Sequence, residues 1–470
     1  MVVVWPVHFS SRLMGRRLGS SGLSSFAIAL EAWRRGLEVT FTAPELHLYS
    51  ISDGTTKIDF NFARPDSLTP RADYLRLDRK GETNQILTRH AIPSPRSILL
   101  ETSNTTYEQL RELGLIMGYP LVLKPNQGSM GRGVFSNLND WNELRDAFHE
   151  LTVMLKQDTI LLERHHGGDD YRLLVIGNRV VGAVKRIPAN IVGDGRSTIE
   201  ELIAIKNNRR TRNPFLGSGL IKVDYEVRKC LTDQGLTIDT IPRKNQQVTL
   251  RRVANASAGG DVQDVTETIP DAIKEAAIRA VRVLPNIHIA GVDVLYDGSD
   301  ETNYVIIEIN SRPQIGVNMY PSIGTGRDVP KAILDSFFPS SSRPTGDSFK
   351  TIRFDPSAVR NLFAEGLASK LTLPALPKHG FPFRQRYLFD SESGSVQLRP
   401  YSGRTIKKLA RIGGISGKIT SRPDGALELF VAASSESAAQ PLVDKVSDFC
   451  GQSAQPSAWD GIVTVGFRIT

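Results

Sequence analysis

Cysteine is nearly missing from this chain: two residues, Cys230 and Cys450, in 470. They are too few and too far apart for a disulfide framework or a cysteine zinc site, and they point to a reducing compartment. Long apolar runs are missing too. Nothing approaches the roughly 20 residues that a bilayer-spanning helix needs. The opening, Met1-Val2-Val3-Val4-Trp5-Pro6, has neither the basic region nor the apolar core of a signal peptide. The expectation is a cytoplasmic protein with no membrane partner. Basic residues outnumber acidic ones, giving a net charge of +8 and a pI near 9.4, yet they form only short clusters such as Arg34-Arg35 and Arg209-Arg210-Thr211-Arg212. No repeated basic–aromatic pattern accompanies them, so nucleic acid is not the expected partner. A basic interior groove for an anionic ligand explains the sign equally well. A Walker loop is also absent; the nearest approach, Gly413 to Ile419, lacks the hydroxyl residue after Lys418. What remains, 40% hydrophobic and 23% charged, is ordinary globular composition with room for two to four compact units.

The most informative stretch is Gly291-Val292-Asp293-Val294-Leu295 followed by Tyr304-Val305-Ile306-Ile307-Glu308-Ile309-Asn310. Both runs are short, apolar and β-branched, and the seven residues between Asp297 and Asn303 carry turn chemistry, so a buried hairpin is expected. Side chains two apart on a strand share a face, which groups Glu308 with Asn310 and lets the hairpin bring Asp293 beside them. Three hard oxygen donors in apolar strands are costly without a cation. Magnesium held by one or two carboxylates and nucleotide phosphates meets that need; acids facing water at a strand end are the plain alternative.

Upstream, Ser24 to Arg35 reads as a helix stopped by Gly36, and Leu37 to Thr42 as a strand. The Gly/Ser-rich run from Gly15 to Ser25 has no phosphate-loop spacing and reads as a loop. Tyr119-Pro120-Leu121-Val122-Leu123-Lys124-Pro125 reads as a strand whose lysine needs an anion, and it runs into a turn containing Gly128, Gly131 and Gly133, whose backbone can approach phosphate oxygens. Lys80 can reach a nucleotide or be a solvated helix-start lysine. Thr159 to Glu163 is an apolar strand ending in an acid able to accept from a ribose hydroxyl or an adenine amine. Asp170 to Pro188 is a hairpin turning at Gly177-Asn178, with Arg172 and Arg186 at its mouths, where a guanidinium suits phosphate or carboxylate. Ile199 to Asn208 is an amphipathic helix; the arginine-rich stretch after it, to about Asn213, reads as a solvated loop, with a cover over an acidic substrate as the alternative.

In combination, Leu123-Lys124-Pro125 with its glycine loop, Asp170-Tyr171-Arg172, Arg186-Ile187-Pro188-Ala189-Asn190, Gly193-Asp194-Gly195, Leu250-Arg251 with Ala254-Asn255, Gly259-Gly260, Gly291-Val292-Asp293 and Glu308-Ile309-Asn310 resemble the ATP-grasp superfamily. Within it the chain is similar to the grasp module of cyanophycin synthetases and bifunctional glutathione synthetases, over roughly residues 75–340. The resemblance implies ATP with magnesium or manganese on Asp293, Glu308 and Asn310. It implies Lys80, Lys124, Gly128 and Gly131 at the nucleotide phosphates, Glu163 at the adenosine, and Arg172, Arg186 and Arg251 as the catalytic charges. The implied reaction is ATP-dependent ligation of a carboxylate to an amine through an acyl phosphate, on an amino-acid or peptide substrate. A kinase that phosphorylates without amide formation is the alternative, and a homo-oligomer is allowed. One departure stands out: after Asn310 come Ser311-Arg312-Pro313-Gln314, where small residues are commoner, and an arginine there can read a different substrate carboxylate.

The expected organisation is an N-terminal α/β domain over 1–78, a central grasp subdomain over 79–165, a C-terminal grasp subdomain over 166–340, a linker over 341–382 and a last domain over 383–470. That last domain is expected to run strand, helix (Arg404–Arg411), strand (Ile415–Ser421), strand (Ala426–Ala432), helix (Ser437–Cys450) and strand (Gly461–Ile469). This βαββαβ order is that of a ferredoxin-like sandwich. Arg399-Pro400-Tyr401, Lys408-Leu409 and Pro423-Asp424-Gly425 resemble the acylphosphatase family, with Arg399 at its phosphate-binding arginine. Ser421 replaces the family's catalytic asparagine and Glu392 would repel phosphate, so a binding or docking role is expected over hydrolysis. The fold class is thus α/β and α+β: an ATP-grasp fold followed by an acylphosphatase-like sandwich.

Overall fold

A computed structural model describes residues 3–14, 19–128, 132–390, 398 and 402–470. The chain divides into two compact units: residues 1–6, 15–25 and 58–336, and residues 7–14, 26–57 and 337–470. Among the described residues no helix is long and apolar enough to cross a membrane.

The first unit is built on two antiparallel sheets. Ser97–Glu101, Thr159–Arg164, Leu121–Pro125 and Phe135–Leu138 form a four-stranded sheet in that order. One of its faces packs on the helices Tyr107–Met117 and Trp141–His149 through Leu110, Leu123, Leu144, Phe148 and Leu162. Thr106 starts the first of these helices with a reciprocal capping box to Gln109, and Asp140 caps the second. The other sheet runs Asp261–Asp264, Arg179–Ile187, Asp169–Ile176, Ile289–Tyr296 and Tyr304–Asn310. Helix Asp271–Arg282 lays Ile273, Ala276, Ala277 and Ala280 on it, and the three alanines bring the helix close to Leu173, Val175 and Val292. A smaller layer joins Asn190–Val192 to Gln247–Thr249 and packs beneath helices Ile199–Arg210 and Tyr225–Thr232.

In the second unit, strands Glu38–Phe41 and Leu48–Ser52 pair, and Leu371–Thr372 adds to the outer edge of the first. Residues 26–34 of the helix Gly19–Arg34 cover them, with Phe26, Trp33 and Phe41 all meeting the ring of Phe354. The helix begins inside the Gly/Ser-rich run that reads as a loop, because its later turns have a fully buried apolar stripe to anchor them. Glu31, fully buried, is neutralised by Arg35 (2.8 Å) and Arg343 (2.7 Å). The stretch 341–382, a linker by composition, carries helix Pro356–Ala364 and buries Phe349, Ile352 and Phe354.

The remaining sheet has the order Gln455–Ala458, Phe383–Phe389, Leu427–Ala433, Ser416–Ser421 and Phe467–Ile469. Helices Ser402–Ile412 and Glu436–Cys450 pack on it through Ile406, Ala410, Leu442 and Val446. The expected last strand, Gly461–Ile469, is corrected here. It is broken at Gly466, whose φ of 102° leaves the extended region. Val463–Thr464 pairs with Ile352–Arg353, and Gln455–Ala458 supplies the edge next to Phe383–Phe389.

Candidate functional site

The hairpin Ile289–Tyr296 and Tyr304–Asn310 forms in the register that sets Asp293 across from Glu308 and Gly291 across from Asn310. On its other side Asp293 faces Arg172 of the strand Asp169–Ile176, and Arg186 lies across from Asp170. Five charges therefore converge by strand register alone. Asp293 is 3% exposed, and both of its oxygens are taken: Arg172 donates to Oδ1 (Nε, 2.6 Å) and Oδ2 (Nη2, 2.7 Å), and Arg186 Nη2 donates to Oδ2 (2.9 Å). Burial pushes the Asp293 carboxyl up, but the two guanidiniums outweigh it and hold it below its ordinary value. Asp170 accepts from Arg186 Nε (2.9 Å) and Nη2 (2.6 Å). There burial wins over Arg186, helped by the repulsion of Asp293, and raises Asp170 to about 6.

Asn310 donates to Glu308 Oε1 (3.2 Å) and accepts from Arg172 Nη2 (3.2 Å). Glu308 in turn lies 3.9 Å from Lys80 Nζ. Lys80 opens the helix Lys80–Arg89, and its Nζ also donates to the carbonyl of Gly128 (2.7 Å), while its backbone N–H donates to Asn126 O (3.0 Å). Gly128 has φ 137°, a conformation open to glycine, which turns that carbonyl toward the lysine. The glycine turn is thus tied to the metal-type hairpin through one lysine. Gly131 lies outside the described residues.

Lys124 and Glu163 sit on neighbouring strands and pair at 2.7 Å, with side chains 9% and 5% exposed. The lysine that reads as needing an anion has one, supplied by the acid that reads as an adenosine contact. Arg251 stands apart from the Arg172–Asp293 cluster. It lies on the smaller layer, paired with Asp224 (2.5 Å) and Glu226, with its Nε buried and unpartnered.

Two features escape a reading by residue type. Asp170 is the acid that orients Arg186; its signal was the i, i+2 spacing to Arg172, which places both on one strand face. The arginine-rich stretch is not all solvated. Arg210 is 4% exposed and donates to the carbonyls of Gly219, Ala256 and Gly260, clamping two loops. Buried carbonyls without a ladder partner attract a guanidinium, and nothing local in the sequence reveals them.

Among the described residues no group of three or more His, Cys, Asp or Glu is arranged to hold a metal ion. The set Asp293, Glu308 and Asn310 is two carboxylates and an amide oxygen, hard donors that suit magnesium or manganese.

Against known proteins, residues 78–204 match the profile of the RimK-like ATP-grasp domain. The first unit has the ATP-grasp fold. The chain is 33% identical over 311 residues to a cyanophycin synthetase of Crocosphaera subtropica, covering 65% of this chain and 34% of that protein. It is 30% identical over 293 residues to the glutathione biosynthesis bifunctional protein GshAB of Desulfotalea psychrophila, covering 60% of this chain and 36% of that protein. The chain thus spans about a third of the length of these relatives. The crystal structure of a bifunctional glutathione synthetase from Pasteurella multocida superposes with a TM-score of 0.53 at 24% identity, over 68% of this chain and 43% of that one.

Proposed function

We propose that the ATP-grasp unit is an ATP-dependent carboxylate–amine ligase acting on an amino acid or peptide. The observation that carries this reading is the convergence of Arg172, Arg186 and Lys80 on the oxygens of Asp293 and Glu308. Such a site offers carboxylates to a metal ion and cations to a triphosphate. The cyanophycin synthetase and glutathione biosynthesis names of the relatives support the same reading.

Asp293, Glu308 and Asn310 would hold a magnesium ion, which would supply neutralisation of phosphate charge. Lys124, Lys80 and the backbone around Gly128 and Gly131 receive the phosphates, and Glu163, released from Lys124, receives the adenosine. Arg172 and Arg186 face the charge that develops as a substrate carboxylate attacks the terminal phosphorus. Their value lies in positioning, because phosphoryl transfer asks for fixed charge and little covalent help. Arg251 neutralises substrate or phosphate charge from the smaller layer. The attack breaks the bond to ADP, which leaves; the amine then captures the acyl phosphate, and phosphate leaves with loss of the amine proton.

Residues 383–470 are assigned an acylphosphatase-like, ferredoxin-like sandwich, supported by their strand order and by the motif resemblance. Arg399 and Glu392 lie outside the described residues. With serine at 421 the assigned role is binding, so the protein should not hydrolyse benzoyl phosphate faster than buffer. The ligase reading is tested by screening amino-acid pairs for phosphate release that needs both partners, with mass spectrometry of the product. Phosphate release with one partner and a stable phosphorylated product would replace it with a kinase. The proposed setting is cytoplasmic.

A further inference from the structure

We infer that Arg312 is a specificity-determining residue: it holds a substrate carboxylate other than the one that is phosphorylated. This deepens the ligase reading and rests on it. The strand Tyr304–Asn310 ends on the proposed cation ligand, and the chain turns through Ser311, Arg312 and Pro313 directly beside the site. A Cβ built on Gly291 would meet Pro313 Cβ at 3.3 Å and Arg172 Cδ at 3.7 Å. The turn therefore lies along the edge of the Arg172–Asp293 cluster, within side-chain reach of it.

A second segment fixes the turn from the other side. Arg64, 4% exposed, pairs with Asp66 (2.5 Å), lies 3.6 Å over the ring of Tyr74 and reaches Ser311 Oγ at 3.5 Å. Phe62, two residues before, has φ 54°, a left-handed backbone that an aromatic residue adopts only when its surroundings demand it. That backbone sets its ring 6.0 Å from the Arg312 guanidinium. The arginine is exposed, with that aromatic ring beside it, an arrangement that favours the guanidinium without consuming its donors.

The arginine's charge is the decisive feature. Arg172, Arg186 and Arg251 are each matched by a carboxylate. Arg312, among the described residues, has no ion-pair partner. A preoriented, unmatched guanidinium at the rim of a site for activated carboxylates fits a ligand with two carboxylates, one reacting and one held. The substrate class is thus a dicarboxylic amino acid, or a peptide presenting a second free carboxylate.

The test is binding and turnover on the full chain with aspartate and glutamate, with their side-chain amides asparagine and glutamine, and with the corresponding α-amides. Wild type should prefer the free acid over the amide at one of the two positions. Arg312→Gln should raise the Kd and KM of the acids at least tenfold, erase that preference, leave kcat within about twofold and leave the KM for ATP unchanged. Arg312→Lys should restore part of the preference. Equal Kd values for wild type and Arg312→Gln across all six compounds would overturn the inference, as would a loss of affinity shared by acids and both amides. Calorimetric binding reads Arg312 without turnover. An absence of phosphate release by wild type would therefore count against the ligase reading, while the binding arm still decides this one.

Discussion

Replacing Asp293 by Asn tests the site at its most constrained point. The substitution keeps the shape but removes the charge that faces two guanidiniums. The Asp293 side chain is 4% exposed, and those of Arg172 and Arg186 are 20% and 17% exposed, so water compensates little. Removing one partner of a buried ion pair costs about 3–5 kcal/mol. Arg186 keeps its direct pair with Asp170 (2.6 Å), whereas Arg172 keeps the amide oxygen of Asn310 and the longer fields of Glu308 and Asp170. The expected loss therefore sits at the lower end, about 3 kcal/mol, and should fall mainly on Arg172. Urea denaturation followed by circular dichroism measures it. A double-mutant cycle with Arg172→Gln should return most of that loss as coupling energy, while a cycle with Arg186→Gln should return less. A variant whose stability stays within about 0.5 kcal/mol of wild type, or a larger coupling to Arg186 than to Arg172, would refute the reasoning.

Other consequences are open to measurement. Lys124→Ala leaves Glu163 buried without its cation, so it should cost about 3 kcal/mol and abolish nucleotide binding by calorimetry; Glu308→Gln should lose substrate-stimulated phosphate release while unfolding at a near-normal midpoint. Asp170 has its pKa raised from 3.8 to about 6 in the folded protein. Its contribution is fully present below pH 3.8 and is lost as pH rises through 6, at most about 3 kcal/mol by linkage. Wild type should therefore lose stability relative to Asp170→Asn between about pH 4 and 6.5, and a flat difference across that window would contradict the raised pKa of this half-buried acid. Gly326→Ala would set a Cβ 2.0 Å from the backbone oxygen of Met319; a loss of more than about 2 kcal/mol is expected, read by thermal melting.

The cluster was legible where local pattern and strand register coincide. The hairpin that carries Asp293, Glu308 and Asn310 announces itself through two β-branched runs and a turn, and one strand over, the alternation in Asp170-Tyr171-Arg172 places acid and base on one face. Partner choice was not legible. That Lys124 meets Glu163, and that Arg251 meets Asp224 and Glu226, follows from how separate strands and loops approach one another. Arg210 shows the same limit, because a run of arginines reads as solvated until the carbonyls of Gly219, Ala256 and Gly260 are seen to need donors. Long-range pairing is the extreme case: Glu38–Phe41 pairs with Leu371–Thr372, and neither short run indicates the other. The fourth strand of the last sheet was misplaced because Gly461 to Ile469 is apolar enough to read as one strand, while Gln455–Ala458, exposed along its length, carries no hydrophobic signal.

The central claim is that a carboxylate attacks the terminal phosphorus of ATP at the Arg172–Asp293–Glu308 cluster, and isotope transfer tests it most directly. With a substrate whose carboxylate oxygens are labelled with ¹⁸O, one labelled oxygen should appear in each phosphate released, alongside one amide bond. Phosphate free of label, formed while the amide product accumulates, would contradict an acyl-phosphate route and the roles assigned to these residues.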